Sequence, residues 1–304
     1  MRFFRLFSTI WIVLMSQNIV NTVRNRRLIA AHRGARSLAP ENTLAAARVA
    51  LAAGARMWEI DVRMSRDGEL VLLHDPDLKR TSDAQSKFPG RSPWIVDDFT
   101  LSELKSLDFG SWFAKADPFG QIAAGEISPS ELAGYSGQPP ATLDDAVLFT
   151  IRNDWLLNIE IKDLSGRPGH ESIVEKVVRV VRSLGAAEKV LISSFNHYYL
   201  RLIRRLDTNI RTGVLVNSVQ SDPVGLMLDL DAFTFNPGWR AFRPGQIRKL
   251  KQKGFGVLVW VLNSPWVAQA FFAMGADGIF TDFPQKFSRK RGILNHGWTQ
   301  MDTD

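Results

Sequence analysis

The 304-residue chain has no cysteine, which excludes structural disulfides and thiolate metal sites and leaves the compartment open. It has no G-x-G-x-x-G and no G-x-x-x-x-G-K-[ST], so no nucleotide-binding fingerprint is present. Acid is missing from the N-terminus: residues 1–36 hold seven arginines and no Asp or Glu. Setting those seven aside leaves 31 basic residues against 31 acidic ones, so the net charge of +7 belongs to that segment. The body of the chain is neutral, and no nucleic-acid partner is expected. Its hydrophobic content of 45% supports a sizeable core.

The apolar core of "MRFFRLFSTIWIVLM", from Leu6 to Met15, falls short of the roughly 20 residues of a membrane span and resembles a signal-peptide core. Residues 1–26 are therefore expected to target, export or anchor the protein, giving membrane association or an extracytoplasmic location. A helix plugging the bottom of the fold, or translation from Met15 and a cytoplasmic protein, are the alternatives. Residues 291–304 read as a tail, and "KFSRKR" (286–291) as a solvated basic cluster.

From residue 27 to about 290, strand-like and helix-like runs alternate. "RLIAAH" (27–32) precedes a helical "TLAAARVALAAG" (43–54), and "RMWEIDVRM" (56–64) and "ELVLLHD" (69–75) flank the turn "SRDG". A Pro-, Gly- and Ser-rich segment from about 83 to 141 reads as an insertion with one short helix near "LSELKSL". Strands are then expected at 156–162, 189–195, 211–216, 231–237, 255–262 and 277–282, separated by helices. Counting the "RMWEIDVRM"/"ELVLLHD" pair once gives eight βα units. That number favours a closed (β/α)₈ TIM barrel over its rival, an open doubly wound sheet.

The C-terminal strand ends collect polar residues: His32 and Arg33, Glu59 and Asp61, His74 and Asp75, Glu160 and Lys162, Ser194, Asn236, Trp260 and Asp282. In a barrel these ends converge on one mouth. Glu59 and Asp61 are two apart on a strand and face the same way, as do Glu160 and Lys162. Two carboxylates 6–7 Å apart repel by roughly 2–3 kcal/mol at an effective dielectric near 20. A divalent cation resolves that repulsion, with Glu160 as a third ligand, and an all-oxygen set suits Mg²⁺ or Ca²⁺. Neutralisation by Arg33 and Lys162, as a structural ion network, is the competing reading. His32 and His74 beside a cation make an acid–base pair, and Arg33 and Lys162 suit a phosphate. His170, His197 and His296 fall at helix starts or in the tail and read as structural.

The stretches "AHRGARSLAPENT" (31–43), "WEIDVRMSRDGELVLLHDPDLKRTS" (58–82), "LDFGSWF" (107–113), "NIEIK" (158–162), "ISSFN" (192–196), "VWVLN" (259–263) and "GADGIFTDFP" (275–284) resemble the glycerophosphodiester phosphodiesterase family, in its order. The resemblance implies a (β/α)₈ barrel with an insertion after the second strand region. It implies that Glu59, Asp61 and Glu160 hold one divalent cation and that His32 and His74 are the acid–base pair. Arg33 and Lys162 would bind phosphate, with Glu41 and Trp260 at the substrate site. The implied reaction cleaves a small glycerophosphodiester to glycerol 3-phosphate and an alcohol, through a cyclic phosphate or by direct water attack. The implied alternative is a lysophospholipase D or sphingomyelinase-D-like enzyme with a groove lined by Trp112, Phe113, Phe235 and Trp239. A non-catalytic phosphodiester-binding barrel is the reading from another class.

Overall fold

The computed structural model describes residues 18–24, 27–243 and 245–287; most of the N-terminal segment 1–26, His296 and the tail 291–304 lie outside them. Nine strands form one sheet: β1 (Leu28–Ala31), β2 (Met57–Met64), β3 (Leu70–Leu72), β4 (Leu156–Ile161), β5 (Val190–Ser194), β6 (Arg211–Val216), β7 (Thr234–Pro237), β8 (Gly256–Val259) and β9 (Gly278–Thr281). All but β3 run parallel, and β1 pairs with both β9 and β2, so eight strands close a ring. Closure removes the open-sheet rival. β3 returns antiparallel on β2, with Val62 opposite Leu72, which is why the hairpin counts as one unit.

Short helices surround the ring. α1 (Ile19–Arg24) precedes it, and α2 (Leu44–Ala52) follows β1 with the Thr43 hydroxyl capping its first turn. The insertion carries more structure than its composition predicts: α3 (Ala84–Lys87), α4 (Leu101–Lys105), α5 (Ser111–Ala116) and α6 (Pro129–Tyr135), with two 3₁₀ turns. Capping boxes at Thr100 and Ser128 explain how such short helices hold, and Phe99, Leu104, Leu107 and Phe109 give the insertion its own apolar cluster. The remaining crossovers are α7 (Leu143–Arg152), α8 (Ile173–Ser183), α9 (His197–Leu206), α10 (Pro223–Asp229), α11 (Gln246–Gln252) and α12 (Pro265–Ala273). α8 shows the logic: Ile173, Val174, Val177, Val178 and Val181 recur at helical spacing and are all buried against the barrel. Each such side chain contributes about 1.5–3 kcal/mol through burial.

The ring has a closed floor. Ile19 and Val23, one helical turn apart on α1, pack with Leu28, Met57, Leu156, Leu191, Leu258 and Phe280 inside the N-terminal end of the barrel. Ile19 and Val23 are thus part of the barrel core. No helix among the described residues is long and apolar enough to cross a membrane. The floor leaves the opposite, C-terminal mouth as the open end.

Candidate active site

β2 is buried at all eight positions, so Glu59 and Asp61 point into the barrel and not onto a wet sheet face. In register, Asp61 pairs with Glu160 of β4, and Glu59 with Asn158. Oxygens of Glu59, Asp61 and Glu160 lie within 4.8 Å of one another. Ligand oxygens 2.1–2.5 Å from a shared cation lie up to about 4–5 Å apart. Glu59 Oε1 and Asp61 Oδ1 are buried with no hydrogen-bonding partner. The donor set therefore fits a hard divalent cation.

The competing ion network is present but incomplete. Lys162 Nζ lies 2.5 Å from Glu160 Oε1 and 3.3 Å from Asp61 Oδ1, the second contact lacking hydrogen-bond geometry. Arg33 Nε is 3.2 Å from Asp61 Oδ2, again without that geometry, while its Nη1 bonds Glu41 at 2.9 Å. Two cations, one of them shared with Glu41, face three carboxylates. Burial works against ionisation of Asp61, yet Lys162 and Arg33 outweigh it and hold its pKa far below the usual range. The deficit falls on the others. Burial, with Asp61 and Glu160 alongside, pushes Glu59 well above the ordinary carboxylate value, and Glu160 is raised by burial and Asp61.

Backbone strain supports this arrangement. Arg33 and Asn42 both adopt left-handed φ, 56° and 58°, uncommon for residues with a Cβ. Arg33 thereby points its backbone N–H at Glu59 Oε2 (2.8 Å), and Asn42 places Nδ2 2.9 Å from Asp61 Oδ2. Gly34 follows Arg33 at φ +78°; a Cβ there would lie 2.6 Å from that of Ala46 on α2, so glycine lets the loop turn tightly against the helix.

Each of the two expected histidines has a carboxylate on Nδ1: Asp282 for His32 and Asp75 for His74, both at 2.7 Å. Asp282 is fixed in turn by Asn263 Nδ2 at 2.8 Å, and the Arg63 guanidinium holds the His74 carbonyl with two hydrogen bonds. Burial, then the charge of Arg33, lowers the pKa of His32 despite Asp282. His32, His74, Arg33, Glu59, Glu160 and Lys162 all border one cavity of about 280 Å³ at the mouth. Trp260 closes its far side, held by a hydrogen bond from Nε1 to the Asn236 carbonyl and edge-on to Phe195.

The other residues singled out in the sequence lie around the site in different ways. Glu41 does not border the cavity; its carboxylate is buried behind it and shared by Arg33, Arg36 and Arg80. Those arginines outweigh burial and bring its pKa down to about 2. Glu41 thus positions the arginines around the site. Phe113 and Phe235 are core residues, so the groove expected from Trp112, Phe113, Phe235 and Trp239 does not form. Ser194 turns outward to the Ile161 carbonyl, and its neighbour Ser193 faces the cavity instead. His170 bonds the Tyr199 hydroxyl and His197 the Leu215 carbonyl, both structural. Asn42, Arg36, Arg63, Arg80 and Asn158 were missed. Asn158 and Arg63 carried a readable signal, one two residues before Glu160 and the other two after Asp61, each on the same strand face as that carboxylate.

Comparisons with known proteins agree with this geometry. Residues 32–286 match the model of the glycerophosphoryl diester phosphodiesterase family. A glycerophosphodiester phosphodiesterase of Caldanaerobacter subterraneus is 32% identical over 260 residues, covering 86% of this chain and 96% of the relative. A solved Oleispira antarctica phosphodiesterase, in complex with the product sn-glycerol-3-phosphate, is 28% identical with a TM-score of 0.70, covering 87% of this chain and 96% of that one. A putative glycerophosphoryl diester phosphodiesterase from Silicibacter pomeroyi shares the fold, at a TM-score of 0.72 over 85% of this chain and 90% of that one, with 24% identity. The chain belongs to the glycerophosphodiester phosphodiesterase family.

Proposed function

We propose that the chain hydrolyses small glycerophosphodiesters to glycerol 3-phosphate and an alcohol, with one Mg²⁺ or Ca²⁺ at Glu59, Asp61 and Glu160 and with His32 and His74 as base and acid. The observation that carries the reading is three buried carboxylates, short of positive charge, between two carboxylate-anchored histidines at one cavity. When bound, the cation neutralises the carboxylates and draws charge from the phosphate oxygens. Lys162 stays protonated, since Asp61 and Glu160 outweigh the burial that opposes its charge, and its ammonium faces the cavity to receive phosphate.

Nδ1 of His32 is occupied by Asp282, so Nε2 is the free basic nitrogen. Burial and Arg33 keep that imidazole neutral, the form a base requires. It takes the proton from the attacking hydroxyl, either the glycerol 2-hydroxyl or water, as the new bond to phosphorus forms. The bond from phosphorus to the alcohol oxygen breaks, and His74, more open to solvent and held by Asp75, returns a proton to that oxygen. Attack by water gives glycerol 3-phosphate directly; attack by the 2-hydroxyl leaves a cyclic phosphate, which a water then opens as the bond from phosphorus to the 2-oxygen breaks and that oxygen regains its proton.

The apolar side of the cavity, with Phe195, Leu215, Trp260 and Phe280, supports a second reading in which a lysophospholipid is the substrate. Release of glycerol 3-phosphate from glycerophosphocholine, compared with lysophosphatidylcholine cleavage, tests both. The main reading expects faster turnover of the deacylated substrate; a strong preference for the lysolipid overturns it.

A further inference from the structure

The inner wall of the cavity holds polar groups that the chemistry above does not use. Asn158 shares the inward face of β4 with Glu160, one step deeper in the barrel, borders the cavity and is 2% exposed. Its Nδ2 donates to Ser193 Oγ at 2.9 Å, which turns Oδ1 the other way, buried without a hydrogen-bonding partner. Ser193, on β5, is fully buried and borders the same cavity. Because Ser193 Oγ accepts from Asn158, its own hydrogen is left to donate. The polar side continues toward β7, where neither amide atom of Asn236 has a partner. Across from Ser193, β6 supplies Gly213; a Cβ there would lie 2.7 Å from Asn236 Nδ2 and 2.9 Å from Thr234 Oγ1. Glycine is what admits those side chains against β6.

A buried amide oxygen without a donor is destabilising and calls for a ligand that brings one. Phosphate oxygens only accept and are repelled by it. A hydroxyl fits, donating to Asn158 Oδ1 while accepting from Ser193. We propose that Asn158 and Ser193 form a polyol subsite inside the barrel that binds a hydroxyl of the glycerol moiety. The substrate then enters glycerol end first and its alcohol departs at the mouth. This inference rests on the phosphodiesterase reading above and specifies which end of the substrate is recognised.

Calorimetric titration of the full chain with Mg²⁺ tests it, comparing sn-glycerol 3-phosphate with ethyl phosphate, which carries the phosphate without hydroxyls. The native protein is expected to prefer glycerol 3-phosphate by about tenfold, the worth of one buried hydroxyl with both bonds made. Asn158→Leu and Ser193→Ala each bring the two affinities close together without weakening ethyl phosphate. Ser193→Ala, which removes one oxygen, keeps the test readable if the leucine variant does not fold. The Mg²⁺-induced rise in Tm, read without substrate, stays unchanged in both. Equal affinities in the native protein, or a preference that survives both substitutions, overturn the proposal. So does loss of the Mg²⁺-induced rise in Asn158→Leu alone, which assigns Asn158 to the cation. A protein that binds glycerol 3-phosphate selectively but cleaves no glycerophosphodiester sinks the phosphodiesterase reading and leaves the subsite standing.

Discussion

Replacing Glu41 with glutamine isolates the electrostatics behind the cavity. The Glu41 side chain is 3% exposed and its carboxylate is shared by Arg33, Arg36 and Arg80. Its pKa of about 2, against an ordinary 4.5, is a folded-state value depressed below the unfolded one. Such a group adds stability above the unfolded pKa and loses it as pH falls through the folded one. The shift is equivalent to about 3 kcal/mol at pH 7, falling to roughly half of that near pH 3. Asp282, also lowered to about 2, carries the same sign and is coupled to Glu41 through Arg36, which pairs with both, so a change at Asp282 falls within the measured gap. Urea unfolding of native and Glu41→Gln protein at pH 7 and pH 3, followed by circular dichroism, measures the gap. A gap below about 0.5 kcal/mol at pH 7, or one equal at both pH values, refutes the reasoning.

Other outcomes follow from the same geometry. His32→Ala and His74→Ala should each lower kcat by about 10²–10⁴ with a folded, cation-binding protein; turnover near native in either variant removes that histidine from its role. Glu59 and Glu160 have raised folded-state pKa values, so without a cation the stability they add is lost as pH rises through that raised range. The Mg²⁺- or Ca²⁺-induced rise in Tm should therefore be larger at pH 8 than at pH 5, and a pH-independent rise counts against the carboxylate cluster as the site. Ile19→Ala should cost about 2–5 kcal/mol of stability by opening the floor, with KM unchanged; a normal urea midpoint detaches α1 from the core.

The βα rhythm was legible because period-2 strands such as β4 alternate with apolar-faced helices such as α8, and that periodicity survives in one dimension. The carboxylate trio was legible for the same reason: Glu59, Asp61 and Glu160 sit at strand ends that a barrel must bring together. What escaped reading depends on loops and on side-chain phase. Asn42 reaches Asp61 only because its backbone is left-handed, and Arg36 and Arg80 meet at Glu41 across a loop and the start of the insertion. Ser193 and Ser194 are chemically alike, and only the strand's facing decides which one sees the cavity. The insertion's helices are too short for periodicity and are held by caps and a local apolar cluster.

The most direct measurement is glycerophosphocholine hydrolysis after exhaustive chelation and stepwise return of Mg²⁺ or Ca²⁺, in native protein and in Asp61→Asn. Turnover that vanishes on chelation, returns with one equivalent of cation in the native protein, and stays absent in the variant is the predicted result. Full turnover in the chelated native protein would contradict the account.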